Sequence, residues 1–148
     1  MLIKKDALQE DYPVLIELWQ RSVAATHDFI SREVLAEIRL ELPRYFLQVD
    51  LQMWYDREEL IGFSGTLDDR LEMLFLDPTV RNRGLGSQII SRLKDKAGIQ
   101  QVSVNEANRQ ALHFYEKNGF IVTGRSEEDE QGRPYPVLHL SLKMGDEK

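Results

Sequence analysis

The residues able to do chemistry fall into a loop, a spaced pair and a few scattered acids and imidazoles. The loop is Arg81-Asn82-Arg83-Gly84-Leu85-Gly86-Ser87. It follows an apolar run, Leu71 to Asp77, that reads as a buried strand, and precedes Gln88 to Ala97, which reads as an amphipathic helix. A strand, a glycine loop and a helix can together cradle a diphosphate. The glycines allow close backbone approach, and the unpaired N–H groups and dipole of the first helical turn attract an anion. The expected contacts are the backbone N–H groups of Arg83, Gly84, Leu85, Gly86 and Ser87, with the Arg81 and Arg83 side chains adding positive charge. No Gly-Lys-Ser/Thr follows, so the loop is not a P-loop. Ile89 stands where a dinucleotide fingerprint has its third glycine.

The spaced pair is Asn108 and Tyr115, seven residues apart in a predicted helix over 108–117. That is about two turns, so both lie on one face, with the small Ala111 between them. Taken alone, Tyr115 reads as a core tyrosine with a satisfied hydroxyl. Among possible bases, Glu72 is the only acid in the middle of the 71–77 strand, where the plain alternative is a solvent-facing residue. His27 follows the first helix; an imidazole there either accepts a proton or anchors a loop. His113 and His139 have weaker claims. The three histidines show no ligand spacing and there are no cysteines, so no metal site, disulfide or thiol nucleophile is expected. No Gly-x-Ser-x-Gly elbow occurs.

The elements that must position these groups follow from periodicity. Leu2 to Lys5 is a short strand. Residues 11 to 25 form an amphipathic helix with Pro13 in its first turn. A second helix starts after Ser31, an N-cap, with Val34, Leu35, Ile38 and Leu42 on its buried face; Pro43 is expected to kink or end it, with some helix resuming through Tyr45-Phe46-Leu47. Strands at 51–55 and 60–66 are joined by the turn Asp56 to Glu59, and Gly62 and Gly65 point to a bulge or close packing. The loop strand and helix come next, then a strand at 100–104 and the 108–117 helix with Gly119 as its C-terminal glycine. Strands at 120–125 and 137–142 close the chain. The order β-α-α-β-β-β-α-β-α-β-β implies an α/β fold with a mixed sheet and helices on both faces.

A length of 148 residues fits one domain, expected over 1–144, with a polar tail at 145–148. The net charge of −6 argues against a nucleic-acid partner, which needs a basic surface. No apolar run reaches the ~20 residues that span a bilayer, so no membrane partner is expected. The opening Met1-Leu2-Ile3-Lys4-Lys5 turns polar too soon for a secretory h-region. With the lack of cysteine, this agrees with a cytoplasmic location. Monomer and homodimer both remain open.

Two motifs together resemble the GNAT superfamily of N-acetyltransferases. Arg81-x-x-Gly84-x-Gly86 matches that family's acetyl-coenzyme A motif. Asn108-x-x-Ala111-x-x-Phe114-Tyr115-x-x-x-Gly119-Phe120 resembles the second half of its signature, and the order of elements agrees over residues 2–143. Leu18-Trp19-x-x-Ser22-x-x-x-Thr26-His27-x-Phe29, and Gly124-Arg125-Ser126 with Pro134-Tyr135-Pro136, are similar to one bacterial branch of the family. The resemblance implies a GNAT fold: a twisted, mostly antiparallel sheet of six to seven strands flanked by about four helices. It also implies acetyl transfer from acetyl-coenzyme A to a primary amine by direct attack.

By the same resemblance Leu74, Phe75 and Leu76 line the pantetheine arm, Asn108 bonds it, and Ala111 lets it pass. Tyr115 would protonate the departing sulfur, as a phenol (pKa ~10) facing a thiol (~8.5) is able to do. Some members carry a glutamate near position 103, where this chain reads Ser103-Val104-Asn105; the candidate bases are Glu72 and, alternatively, His27, and which residue, if any, acts as base stays open. Trp19, Ser22, Thr26, His27 and Phe29 would border the acceptor, with Arg125 and Tyr135 near the cleft. The acceptor is a small-molecule amine or a peptide or protein amine. A non-catalytic coenzyme A sensor on the same fold, or a nucleotide-binding domain, are the competing readings.

Overall fold

The computed structural model describes residues 2–26, 30–80 and 83–143, without the Thr26 side chain. His27, Phe29 and Arg81, and the predicted tail at 145–148, lie outside the described residues. The elements run β1 (Leu2–Asp6), α1 (Tyr12–Thr26), α2 (Arg32–Gln48), β2 (Asp50–Asp56), β3 (Glu59–Leu67), β4 (Arg70–Leu76), α3 (Leu85–Ala97), β5 (Gln101–Asn105), α4 (Arg109–Lys117), β6 (Phe120–Ser126) and β7 (Val137–Leu142). This is the expected order. Short 3-10 turns at Gln9–Asp11 and Pro78–Val80 lead into α1 and into the glycine loop.

The strands form one sheet in the order β1-β2-β3-β4-β5-β7-β6. Every pairing is antiparallel except β4 with β5. That parallel pairing is brief: only Arg70↔Gln101 and Leu71↔Val102 are in register. Beyond them the strands diverge, and the sheet is open along the rest of β4.

Alternation of side chains splits the core between the two faces of the sheet. On one face, Leu15, Leu18, Trp19 and Val23 of α1 and Leu42 and Phe46 of α2 pack on Leu51, Met53 and Phe63. Phe46 meets Tyr12 and Phe63 edge to face, at 5.0 and 5.6 Å between ring centroids. On the other face, Ile89, Ile90 and Leu93 of α3 and Tyr115 of α4 pack on Trp54, Ile61, Val102, Val104, Phe120 and Leu140. Trp54 donates its indole N–H to Ser64 at 2.8 Å, which satisfies a fully buried polar pair.

One boundary differs from expectation, and another is decided between alternatives. Of the two outcomes open at Pro43, helix α2 does not end there but continues through Tyr45-Phe46-Leu47 to Gln48, because Leu42 and Phe46 on either side of the proline are both buried in the core. Tertiary packing outweighs the missing hydrogen bond. Its start is as read: Ser31 Oγ accepts from the Val34 N–H at 3.2 Å. Helix α3 begins three residues before Gln88, at Leu85, directly after Gly84.

Candidate active site

The divergence of β4 from β5 opens a cavity of about 580 Å³. It is walled by residues 71–76 of β4, residues 102–105 of β5, the start of α3 and the inner face of α4, with Ser22 of α1 at one side. Where β4 has lost its β5 neighbour, its backbone N–H and C=O groups on that side face the cavity instead of a strand. An extended ligand carrying amide groups can pair with such an edge.

One end of the cavity is the glycine loop. Gly84 has φ +74, a left-handed conformation that costs an L-residue with a Cβ about 1–2 kcal/mol. It caps α3, whose first internal bond runs from Gln88 N–H to Gly84 C=O at 3.2 Å. The N–H groups of Leu85, Gly86 and Ser87 therefore have no carbonyl within the helix. Because α3 starts at Leu85, the glycines belong to the helix start itself. Gly86 is enclosed: a Cβ there would stand 3.1 Å from both Leu76 Cδ1 and Phe114 Cε1. The Asn118 amide donates to Ser87 Oγ at 3.3 Å and to the Phe114 carbonyl at 2.8 Å, tying the start of α3 to the end of α4. Open amides at a helix N-terminus, a glycine where a side chain would intrude, and an elongated cavity beside a bare strand edge together fit a diphosphate-linked, amide-bearing cofactor such as coenzyme A.

Tyr115 stands on α4 with its ring against Phe114 (5.1 Å) and Phe120 (5.8 Å). The residue is 7% exposed, and what is exposed lines the cavity. Among the described residues the hydroxyl has no hydrogen-bond partner. Burial pushes the phenol well above its ordinary value of 10.0, so it remains a proton donor across the physiological range.

The other expected residues are brought together unevenly. Leu74, Phe75, Leu76, Gly84, Leu85, Gly86, Ser87, Asn108, Ala111, Ser22 and Glu72 all line the cavity. Asn108 is the N-cap of α4 rather than a residue inside it, and its Oδ1 accepts from the Ala111 N–H at 3.1 Å. Glu72 sits at a bulge: Gly65 pairs with Met73 and Thr66 with Leu71, so Glu72 is the extra residue of β4. Its carboxylate meets Arg70 Nε at 3.2 Å.

Four side chains are elsewhere. Trp19 is 4% exposed in the α1–α2 core, since its position on α1 faces the sheet, and it does not wall the cavity. Arg83 turns its guanidinium away, to Asp56 at 2.9 Å and Glu59 at 3.8 Å on the β2–β3 hairpin, because two carboxylates there attract it. Arg125 is likewise held by Glu106 at 2.6 Å, and neither it nor Tyr135 lines the cavity. His113 stands at the exposed rim.

Two groupings could not be foreseen from spacing. Asp77, at the end of β4, accepts from the Thr79 N–H at 3.1 Å and pairs with Arg21 of α1 at 2.9 Å, fixing α1 against the approach to the loop. His139 of β7 has Ser103 Oγ 3.0 Å from Nδ1 and Ser126 Oγ 2.8 Å from Nε2. Alternation along β5 and β7 places residues 103 and 139 opposite the apolar 102, 104, 138 and 140, but their pairing requires the register.

The family described as "Acetyltransferase (GNAT) domain" matches residues 14–136. The chain is 42% identical over 134 residues to the peptidyl-lysine N-acetyltransferase YjaB of Salmonella typhimurium, covering 88% of this chain and 91% of that protein. It superposes on the solution structure of apo YjaB from Escherichia coli with a TM-score of 0.85 at 37% identity, covering 96% and 97% of the two chains. It also superposes on the PaiA N-acetyltransferase of Thermoplasma acidophilum in complex with coenzyme A, with a TM-score of 0.67 at 20% identity over 94% and 98%. The split sheet, the glycine-capped helix and these likenesses agree: the chain belongs to the GNAT family of acetyltransferases.

Proposed function

We propose that this acetyltransferase acylates a primary amine, the side chain of a lysine in a peptide or protein, by direct attack on acetyl-coenzyme A. The observation that carries the reading is the single cavity that joins the open N-terminus of α3 to the Tyr115 hydroxyl along the bare edge of β4. Acetyl-coenzyme A, when bound, supplies the activated acetyl group as a thioester. The backbone N–H groups of Leu85, Gly86 and Ser87 hold its diphosphate, and the exposed edge of Leu74 to Leu76 pairs with its arm. A backbone N–H of that edge also polarises the carbonyl. The Tyr115 hydroxyl, kept protonated by burial, gives its proton at the sulfur. The names of the relatives at about 40% identity, peptidyl-lysine N-acetyltransferases, favour lysine as acceptor.

Calorimetry with acetyl-coenzyme A, followed by mass spectrometry of a lysine peptide incubated with both, tests the proposal. Saturable heat and a 1:1 acetylated peptide are expected. Absence of binding heat and of any thermal shift would overturn the cofactor assignment, and binding without acetylation of any lysine peptide would overturn the acceptor.

A further inference from the structure

An amine attacking a thioester at neutral pH begins as an ammonium. On becoming an amide it sheds two protons while the N–C bond forms and the C–S bond breaks. One proton ends on the departing sulfur, and the other must be carried off. Tyr115 serves the first. The chain therefore needs a second proton path, and it belongs on the side from which the amine enters.

The faces of the sheet define that side. Val102 and Val104 of β5, and Leu138 and Leu140 of β7, pack in or against the core that holds Tyr115 and α3. Ser103 and His139, between them in sequence, therefore project to the opposite face. The cavity passes between β4 and β5, and Ser22 and Ser103 line it together with Tyr115. Acid and second path are thus on opposite sides of the open seam, so the departing sulfur and the entering amine can each have a proton carrier of their own.

We propose that Ser103 and His139 form a proton relay for the acceptor ammonium, with Ser126 holding the imidazole in the working tautomer. This rests on the amine-acetylation reading above. Both ring nitrogens are engaged, Nδ1 by Ser103 Oγ at 3.0 Å and Nε2 by Ser126 Oγ at 2.8 Å. In the resting state the Ser103 hydroxyl donates to Nδ1, and Nε2–H donates to Ser126. The ammonium passes a proton to Ser103 Oγ as the serine's own proton moves to Nδ1, leaving a neutral amine and an imidazolium. Ser126 accepts from Nε2–H throughout. After the amide leaves, the imidazolium returns its proton to water through Ser103. The partners of His139 are hydroxyls, which rotate to donate or accept, so neutral and protonated imidazole are both satisfied in place. Ser103 is the catalytic residue of the relay. His139 acts through it, and Ser126 is a positioning residue in the sense familiar from nucleophile–base–orienter arrays.

His139→Gln and Ser103→Ala are compared with the parent protein using two peptides. One carries lysine and the other its less basic thia analogue. Expected for the lysine peptide is a fall in kcat of about 10²-fold with KM unchanged. The loss should be clearly smaller for the less basic amine, whose ammonium gives up its proton more readily and depends less on the relay. Equal losses for both peptides, or no loss, would overturn the relay, since a merely structural role slows both alike. If His139→Gln fails to fold by its melting curve, Ser103→Ala gives the same comparison. Imidazole 15N NMR of the cofactor-free protein supplies a readout independent of turnover. The Nε2–H tautomer is expected, and the Nδ1–H tautomer would overturn the relay even in an active enzyme. A parent protein that binds acetyl-coenzyme A but acetylates neither peptide removes the acceptor reading, and the relay with it.

Discussion

Replacing Tyr115 with phenylalanine separates chemistry from stability in a way few active-site substitutions do. The ring contacts to Phe114 and Phe120 survive the change. The hydroxyl has no partner among the described residues, so its loss forfeits none of the ~0.5–1.5 kcal/mol that an internal hydrogen bond contributes. The melting temperature at neutral pH should stay within about 2 °C of the parent. Turnover should not: loss of a general acid lowers kcat by about 10²–10⁴-fold, with KM for both substrates little changed. Alkaline stability supplies a second reading. Burial raises the Tyr115 phenol in the folded state, so its contribution is complete below the unfolded value near 10. Above that pH the unfolded chain ionises first, and about 1.4 kcal/mol is lost per pH unit until the folded phenol titrates too. Tyr115→Phe should flatten this limb of the urea-unfolding curve against pH. Steady-state kinetics and denaturation between pH 7 and about 11 measure both. An unchanged kcat would refute the acid role, and parallel alkaline limbs would refute the burial reasoning.

Three other outcomes follow from single contacts. Gly84→Ala meets no atom within 4 Å but must hold φ +74, so it should cost about 1 kcal/mol, read as a drop of ~2–4 °C in melting temperature, and weaken acetyl-coenzyme A binding in calorimetry. Gly62→Ala would place a Cβ 2.6 Å from the Phe75 carbonyl oxygen, forcing β3 and β4 apart; a loss of about 1–3 kcal/mol in chemical denaturation is expected. Burial opposes ionisation of Asp77, but the Thr79 N–H, the Arg21 guanidinium and the Thr79 hydroxyl together outweigh it and hold the carboxyl below its ordinary value. Its contribution is therefore present above ~4 and lost as pH falls through the depressed folded value, so Asp77→Asn should lose stability at pH 7 and show a shallower acid limb.

Element order, the glycine loop and the Tyr115 helix were legible because each rests on local signals: periodicity, a cap, a glycine. Pro43 alone leaves a kink and an end both open; the burial of Leu42 and Phe46, which decides for continuation, is a tertiary fact. Leu85 and Gly86 read as loop by composition, while the left-handed Gly84 is what admits them to the start of α3. Arg83 carried the right charge for a phosphate, but Asp56 and Glu59, more than twenty residues earlier, compete for it in space. Trp19 fitted both a core and a pocket wall, and only the facing of α1 decides between them. The contact of His139 with Ser103 depends on how β7 aligns with β5, which no local pattern encodes.

The meeting of β4 and β5 has a mechanical side. The seven strands are two half-sheets, β1 to β4 and β5-β7-β6, stitched by two residue pairs, Arg70↔Gln101 and Leu71↔Val102. Of the pairings in the sheet this is the shortest ladder, so the seam is expected to open before the others under thermal agitation or load. A ligand laid along the bare edge of β4, between the start of α3 and the inner face of α4, would fasten both halves at that place. On the proposed reading, bound acetyl-coenzyme A would also be a clasp: amide exchange should slow across β5, β6 and β7 when it binds, far beyond the residues it touches.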